Sequence, residues 1–257
     1  GTTAKVCLIE EQNASKAREF EVDRQARFMK GSGLPLRIPV IEMVEIGAGG
    51  GSIARVNSMN QIMTGPDSAG ANPGPAAYNK GGDQPTISDA DIHLGRIDPD
   101  YFAGGRVKLM PDLSSLAIER IVAKPLGIPT QMAALGVTEM VDETMANAAR
   151  VHAVERGYDA RDHALIAFGG AAPLHVGRIA EKLNISKIVI PTNAGVGSAI
   201  GFLRAPVAYE VVRSRNTFLR DLDSQVINSL MHEMQAEAMS VVHAGAPNEK
   251  IIEQIKV

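Results

Sequence analysis

The segment ALIAFGGAAPLHVGRIAEKLNISKIVI, residues 164–190, carries the clearest fold signal in the chain. Residues 164–168 are apolar and predict a buried strand, and residues 186–190 predict a second one. Between them, the turn 169–173 contains two glycines and a proline, and residues 174–183 have apolar positions at helical spacing. A strand, a helix and a strand in this order form a βαβ unit with parallel strands. The chain is therefore predicted to be an α/β protein.

Further regular elements are predicted on both sides of this unit. Residues 112–126 and 130–156 have apolar residues every three or four positions, and the wide apolar stripe of the longer segment indicates packing against a sheet or another helix. Residues 195–203 predict a short helical segment, residues 208–213 a strand, and residues 223–243 an amphipathic helix.

The first third of the chain is rich in strand signals. Residues 4–9 and 17–25 predict a β-hairpin, because the polar residues between them are typical of a turn. Residues 39–46 predict a buried strand, and residues 52–56 and 61–64 predict two further short strands.

Composition and charge exclude several classes of protein. The 257 residues include 26 basic and 29 acidic side chains, a net charge of −3, so the basic excess that nucleic acids or membrane surfaces attract is missing. We therefore expect neither nucleic acid nor a membrane as a partner. Cys7 is the only cysteine, which excludes an intrachain disulfide and a cysteine-based zinc site, and its apolar neighbours predict a buried thiol. This cysteine usage is typical of the cytoplasm, and no apolar stretch approaches the ~20 residues of a membrane span.

The turn after the strand at 164–168 is the first candidate ligand site. Gly169 and Gly170 connect this strand to a helix, and the unpaired backbone N–H groups at a helix start favour phosphate groups. A tight turn without a ligand is the alternative. His175 lies one turn into the helix, where a catalytic acid–base role competes with a capping or packing role.

Two other segments have the small residues that approach phosphates. Thr2 and Thr3 precede an apolar strand and are typical of an anion-binding nest, with a polar terminus that binds nothing as the alternative. Gly49, Gly50 and Gly51 belong to a stretch with four glycines in six positions. This stretch fits neither the Walker nor the dinucleotide-binding spacing, so a hinge or a strand corner competes with phosphate binding.

The pair Asp89 and His93 is the candidate metal site. On a helix the two residues are one turn apart and share a face, so they could ligate a divalent metal or orient a substrate, with Asp89 as a candidate catalytic carboxylate. The structural alternative is that Asp89 caps the helix after Thr86 and Ser88, with His93 partly exposed.

Nine short segments occur in the order found in the A subunit of the hydantoinase/oxoprolinase family, and the chain resembles this family over nearly its whole length. Ordered matches of this kind are more specific than any single motif. The segments are GTTAK at 1–5, GAGGGSIA at 47–54, GPDSAGA at 65–71, PGPA at 73–76, PT at 85–86, DA at 89–90, LGR at 94–96, ERG at 155–157 and FGGAAPLH at 168–175.

The resemblance implies the fold of an actin-like ATPase, and in particular its second ribonuclease H-like lobe: a mixed sheet with flanking helices and an inserted loop and helical region. Residues 1–64 are then expected to form the β-rich start of this lobe, and residues 65–111 a loop region rich in glycine and proline. Residues 112–215 would form the helical and βαβ remainder, and residues 216–257 the start of a C-terminal segment. The sequence thus resembles an internal fragment that lacks the first lobe.

The implied activity is ATP-dependent hydrolysis of a cyclic amide of the hydantoin or 5-oxoproline type. ATP, with Mg²⁺ or another divalent metal, would phosphorylate the amide oxygen before water attacks. The implied partners are a hydantoinase B-type subunit, the first lobe of the same polypeptide and the small cyclic amide. Two alternatives stay open: the ATP-using subunit of a ketone carboxylase of the acetone or acetophenone type, and a nucleotide-binding scaffold without turnover.

The resemblance also implies roles for single residues. Thr2 and Thr3 would lie in a phosphate loop, Gly169 and Gly170 would contact the nucleotide, and the glycines at 49–51 would line the cleft. The chain departs from the family where Ala77 replaces a common Cys, where Ala172 replaces a common Gly, and where Ala4-Lys5 replaces a common Thr-Asp. Lys5 is therefore expected to neutralise a phosphate.

Overall fold

The computed structural model describes residues 2–11, 13–23, 31–38 and 40–255. The chain divides into two compact units, Gly1–Ser198 and Ala199–Val257, which are described separately. Gly1, the end of the strand predicted at 17–25, and Pro39 lie outside the described residues. The division of the chain into four segments stays a sequence-based prediction.

The described strands are short and pair two by two. They are β1 (Ala4–Val6), β2 (Ile9–Glu10), β3 (Asn13–Ala14), β4 (Lys16–Ala17), β5 (Phe20–Val22), β6 (Leu34–Leu36), β7 (Val40–Ile41), β8 (Val44–Ile46), β9 (Ser52–Val56), β10 (Ile62–Ser68), β11 (Leu165–Ile166) and β12 (Ile188–Val189). β11 and β12 are parallel, and the other described pairs are antiparallel. The predicted mixture of strand directions is present, but the described residues form two-stranded units and not one continuous sheet.

Long-range packing overrides the hairpin predicted between residues 4–9 and 17–25, which is wrong. β1 pairs with β8, with Ala4 opposite Ile46, and both strands pack against the same long helix further along the chain. β5 pairs with β6, and a short turn at Glu11 closes a local hairpin between β2 and β3. The predicted buried strand at 39–46 is two short strands, in which Ile46 is the buried residue.

The helices confirm most of the periodicity analysis. They are α1 (Ile87–His93), α2 (Pro111–Ile118), α3 (Lys124–Leu126), α4 (Thr130–Glu155), α5 (Ala172–Leu183), α6 (Gly197–Arg204) and α7 (Ser224–Gly245). A π-helical turn, Glu119–Ala123, joins α2 to α3, so the helix predicted at 112–126 is present as one helical segment. Residues 208–213 form no strand, because the described part of their unit offers no neighbouring strand with which they could pair.

Helix α4 is the centre of the core. Its buried face consists mainly of small and β-branched residues, such as Ala134, Val137 and Val141, and it contacts β1, β8, β10, α1 and α5. Small residues let neighbouring elements approach closely: a Cβ on Gly136 would lie 2.5 Å from the Cδ1 atom of Ile62 in β10. The helix thus connects elements from the start of the chain with the βαβ unit that follows it.

The predicted βαβ unit is confirmed. β11 and β12 are parallel, with Leu165 opposite Ile188, and α5 connects them. The helix buries Val176, Ile179 and Leu183. Ile166 in β11 and Ile190 just after β12 are about half exposed, so the described unit has an apolar surface that α5 does not cover.

The position of Cys7 and the polarity of the helices bear on two further expectations. Cys7 lies after the end of β1 and is exposed, so the predicted buried thiol is wrong, although partial burial still raises the pKa of the thiol. No helix among the described residues is long and apolar enough to cross a lipid bilayer.

The Gly- and Pro-rich loop region is held in place by one buried carboxylate. Asp89 accepts hydrogen bonds from the backbone N–H groups of Ala76 and Ala77, at 3.1 and 2.9 Å. It also accepts from the N–H and hydroxyl groups of Thr86 and from the hydroxyl of Ser114, at 2.7 to 2.9 Å. Thr86 caps α1 and forms a reciprocal capping box with Asp89. Five donors thus converge on a side chain with 0% exposure.

We expect Asp89→Asn to lower the free energy of unfolding by about 3 kcal/mol, since its amide NH₂ would face donors and leave buried groups unpaired. Urea unfolding measures the change. Asp83→Asn is the matched control, because the Asp83 carboxylate is 72% exposed and pairs with Arg120 at the surface. It should change the free energy by less than about 0.5 kcal/mol. Equal effects of the two substitutions would contradict the role of Asp89.

Candidate functional site

Two loops meet at the carboxyl ends of the parallel strands. The loop at residues 168–171 follows β11, and the loop at residues 190–196 follows β12; together we call them the paired loops. The N–H group of Gly169 donates to the carbonyl of Ala194 at 2.7 Å. A Cβ on Gly197 would lie 3.2 Å from the side chain of Phe168. The paired loops are therefore in direct contact, at the edge where open α/β sheets bind ligands.

The glycines of the paired loops face open space. Gly169 has a φ of +99°, a conformation that glycine adopts without strain. A Cβ on Gly169, Gly170 or Gly195 would meet no atom within 4 Å. Helix α5 starts at this point without a side-chain cap, so the N-terminal turn of the helix provides backbone donors for an anion. The sequence analysis missed the loop at 190–196, although Gly195 within it and Gly197 directly after it follow a predicted strand and were a usable signal.

Thr2, Thr3 and Lys5 lie on the edge formed by β1 and β8. Thr2 and Thr3 are exposed and precede β1. The ammonium group of Lys5 contacts the Glu45 carboxylate at 2.7 Å, with both side chains about half exposed. Lys5 therefore already has an acidic partner, which a phosphate would have to compete with.

The predicted cleft position of Gly49, Gly50 and Gly51 is not supported. All three are buried, and the carbonyls of Gly50 and Gly51 accept hydrogen bonds from Ser88 and Ala69. A Cβ on Gly50 would lie 2.7 Å from the Ser88 hydroxyl. These contacts indicate that the glycines allow the close packing of the β9 corner against α1.

The predicted metal site and the catalytic role of Asp89 also gain no support. Both oxygens of Asp89 are engaged by the protein's own donors, and His93 Nδ1 lies 2.8 Å from the hydroxyl of Ser115. No group of three or more His, Cys, Asp or Glu side chains in the described part of the chain is arranged to hold a metal ion. The alternative, a capping role for Asp89, agrees with the capping box.

A buried charge cluster lies directly beneath the paired loops. His175, in the first turns of α5, is 1% exposed. Its Nδ1 lies 2.8 Å from Asp142 in α4, and its Nε2 lies 3.2 Å from Asp91 in α1, the second contact being an ion pair without good hydrogen-bond alignment. Arg96 contacts the other oxygen of Asp91 at 3.2 Å. Because the imidazole is enclosed, it has no access to a substrate, and the predicted catalytic role of His175 is not supported.

The environment of His175 favours its charged form. Burial lowers the pKa of this imidazole, but Asp142 and Asp91 outweigh burial and raise the pKa to about 9. The cation of His175 and that of Arg96 then balance two buried carboxylates. The sequence analysis did not single out Asp91 or Asp142. The usable signal for Asp142 was an acidic residue within the apolar stripe of a long helix.

A separate cavity of about 310 Å³ lies at the far end of α5, beside Leu183 and Asn184. Two of its three cationic side chains already have acidic partners, since Arg161 pairs with Asp159, and Lys182 pairs with Glu139 and Glu143. The third, Arg150, donates to the carbonyl of Lys182 at 3.0 Å. The cavity thus offers an anion no uncompensated charge from Arg161 or Lys182, and the paired loops are the better candidate site.

The pKa of His175 predicts a specific pH dependence of stability. A pKa raised from 6.5 to about 9 contributes stability that is complete below about pH 6.5 and is lost as the pH rises towards 9. The free energy of unfolding of the wild type should exceed that of His175→Gln by an amount that shrinks by on the order of 2–3 kcal/mol between about pH 6.5 and 9.5.

Denaturant unfolding at a series of pH values measures this difference. His163→Gln is the control, since His163 pairs with Glu10 but is a quarter exposed, so its removal should change stability little. A difference between wild type and His175→Gln that stays constant with pH would contradict the assignment.

Known proteins share this architecture and sequence. The chain is 41% identical over its whole length to an uncharacterized protein of Methanocaldococcus jannaschii, of which it covers 38%. It is 37% identical over 79% of its length to the caprolactamase subunit alpha of Pseudomonas jessenii, of which it covers 30%. A nucleotide-free structure of acetone carboxylase, from a study of ATP-dependent acetone carboxylation, superposes with a TM-score of 0.78 at 28% identity, over 93% of this chain and 34% of that one.

These comparisons show the fold class and the family. The chain spans about a third of the length of these relatives, and the structural match supports the mixed α/β fold. The sequence model of the family described as Hydantoinase/oxoprolinase matches residues 1–211. The chain therefore belongs to the hydantoinase/oxoprolinase family.

Proposed function

We propose that the paired loops bind the phosphate groups of ATP. The observation that carries this proposal is the open, uncapped start of α5 behind Gly169 and Gly170, where no atom lies within 4 Å of an added Cβ. Backbone N–H groups and the helix dipole at such a position attract anions. The acetone carboxylase whose structure superposes on this chain carries out an ATP-dependent carboxylation, which supports a nucleotide as the ligand.

Thr2 and Thr3, which precede β1, are proposed to approach the same ligand. Glu10 and His163 are in contact at 2.8 Å, which brings the end of the segment 2–10 to the start of the strand that leads to Gly169. An antiparallel arrangement of the two segments would lead both away from this contact towards the same edge, so that Thr2 and Gly169 would lie there after similar numbers of residues. This arrangement is that expected for the second lobe of an actin-like ATPase.

The proposed chemistry activates an amide oxygen by phosphorylation. Amide resonance makes attack by water slow, and transfer of the γ-phosphoryl group from ATP to the amide oxygen releases ADP and makes the amide carbon electrophilic. Water then adds to this carbon, and the C–N bond breaks as the ring nitrogen takes up a proton and leaves as the amine, which opens the ring to an acyl phosphate. A second water cleaves the acyl phosphate to a carboxylate and inorganic phosphate. Such a reaction requires positioning and charge stabilisation more than a protein nucleophile. Here the paired loops would supply backbone donors, and Lys5 a positive charge once it exchanges Glu45 for phosphate. None of the described residues is assigned to Mg²⁺, which is commonly held by substrate phosphates and water.

The substrate is proposed to be a cyclic amide. Caprolactamase is named for the hydrolysis of a lactam, and its subunit alpha is 37% identical to this chain. The second candidate is the carboxylation of a ketone, in which ATP would activate an enol or bicarbonate, and the TM-score of 0.78 with acetone carboxylase favours it. A scaffold that binds nucleotide without turnover is the outcome if neither substrate stimulates ATP hydrolysis.

Partners are proposed on the same basis. The caprolactamase relative is a subunit, the alpha subunit, of its enzyme, so a B-type subunit is the expected partner here. The apolar surface formed by Ile166, Phe168 and Ile190 is about half exposed in the described unit. We expect the remainder of the longer polypeptide to cover it, since apolar patches of this kind are normally buried.

A substitution in the loop tests the nucleotide site. Gly170→Leu in the full-length protein should weaken ATP binding at least tenfold, because the side chain fills the space that the phosphates need. Stability should be almost unchanged, since Gly170 has open surroundings and no positive φ. Calorimetric titration with ATP measures the effect. Gly177→Leu is the matched control, since Gly177 is equally open but lies further along α5; unchanged ATP binding in Gly170→Leu would refute the site.

Substrate-stimulated ATP turnover decides the reaction. The full-length protein with its partner subunit should hydrolyse ATP faster when a hydantoin, 5-oxoproline or another lactam is added, because phosphoryl transfer requires the amide oxygen as acceptor. Released phosphate and the ring-opened product should appear in equal amounts. Stimulation by a ketone with bicarbonate, and not by the cyclic amides, would assign the protein to the carboxylases.

A further inference from the structure

The two ends of α5 are attached to the protein in different ways. Towards its C-terminal end, the helix is held by apolar burial of Ile179 and Leu183 and by the surface ion pairs of Arg178 and Lys182 with α4. At the N-terminal end of the helix, the loop 168–171 is held by the hydrogen bond from Gly169 to Ala194 and by the contact of Phe168 with Gly197. The polar side chain that anchors this end is His175.

His175 joins three helices at one point. Its imidazole extends from α5 and contacts Asp142 of α4 through one nitrogen and Asp91 of α1 through the other. All three side chains are within 2% of complete burial, so water screens neither contact, and the hydrogen bond to Asp142 is also directional. Two partners on opposite sides of a planar ring fix its orientation as well as its position, which apolar contacts alone do not.

We propose that His175, held between Asp91 and Asp142, is a positioning residue that sets the paired loops for ATP. The inference rests on the proposed function, since it gives the loops a ligand. His175 touches no ligand: it acts through the first turn of α5, which directly follows the loop that contains Gly169 and Gly170. A rigid first turn keeps the backbone donors aimed at the phosphates, and small displacements of such groups are costly for binding and catalysis.

The charges around the imidazole allow this role without a strongly repulsive core. Asp91 faces His175 with one oxygen and Arg96 with the other, and Asp142 faces His175 from α4. The formal charges of the two carboxylates, the guanidinium and the imidazole sum to zero when the imidazole is protonated. Arg96 is one-third exposed, so the cluster reaches the surface only at the end opposite to Asp142.

The test compares variants of the full-length protein in its complex with the partner subunit. His175→Gln and Asp142→Ala should raise the KM for ATP on the order of 10- to 100-fold and leave the KM of the second substrate within about twofold. Asp142→Asn keeps an acceptor for the Nδ1–H group and should restore most of the ATP affinity lost in Asp142→Ala. A role in folding alone would not produce this selectivity.

Leu183→Ala is the control for general destabilisation, because Leu183 is 4% exposed and lies at the other end of the same helix. It should lower the melting temperature while the KM for ATP stays within about twofold of the wild type. The inference is overturned if Leu183→Ala raises this KM as much as His175→Gln does. It is also overturned if His175→Gln and Asp142→Ala leave the KM for ATP unchanged. If His175→Gln does not fold, the comparison of Asp142→Asn with Asp142→Ala tests the positioning role instead.

The Gly170→Leu variant separates the two hypotheses. Loss of ATP binding in Gly170→Leu, together with a normal KM in the His175 and Asp142 variants, retains the nucleotide site and refutes the positioning role. Normal ATP binding in Gly170→Leu refutes the nucleotide site itself, and the positioning role with it.

Discussion

The need to compensate two buried carboxylates on one short helix organises this structure. Asp89 and Asp91 are both almost completely buried in α1, two positions apart, so their side chains leave the helix in different directions. Asp89 gathers five donors from the loop region and from α2, whereas Asp91 faces the imidazole of α5 and the guanidinium of Arg96. A buried charge without partners is very costly. The loop region, α2 and α5 are therefore tied to the same two turns of helix, and the position of the paired loops depends on α1 although α1 contains none of their residues.

Sequence periodicity predicted the helices and the βαβ unit well, because these elements are determined by local spacing. The long helix at 130–156 and the strands around residues 164–190 needed no knowledge of distant parts of the chain. The first forty-six residues were harder, since the choice of β8 as the partner of β1 depends on the surface of α4, which is far away in sequence. The prediction of a strand at 208–213 was wrong for a related reason. These residues have a high β-strand propensity, but a strand also needs a neighbouring strand with which it can pair.

The candidate site was only partly predictable for a different physical reason. Gly169 and Gly170 were found because a strand, two glycines and a helix in succession constrain the backbone directly. For Asp89 and His175, residue type indicated chemistry, and the structure instead shows both side chains enclosed by their own partners. Acidic groups and imidazoles serve catalysis and buried networks equally well, and burial, which decides between them, is not visible in a single sequence. Asp142 illustrates the same point, since only the fold reveals that it faces His175.

The central position of α4 also has a kinetic consequence. This helix contacts β1 near the start of the chain, β10 about seventy residues before its own centre, and α5 after its end. Contacts between residues so far apart close large loops, and proteins dominated by such contacts cross their folding barrier slowly. During synthesis, the strands that precede α4 leave the ribosome long before the surface on which they pack. Until α4 has been made, β1, β8 and β10 therefore lack the surface on which they pack, and their apolar side chains stay exposed to non-native contacts.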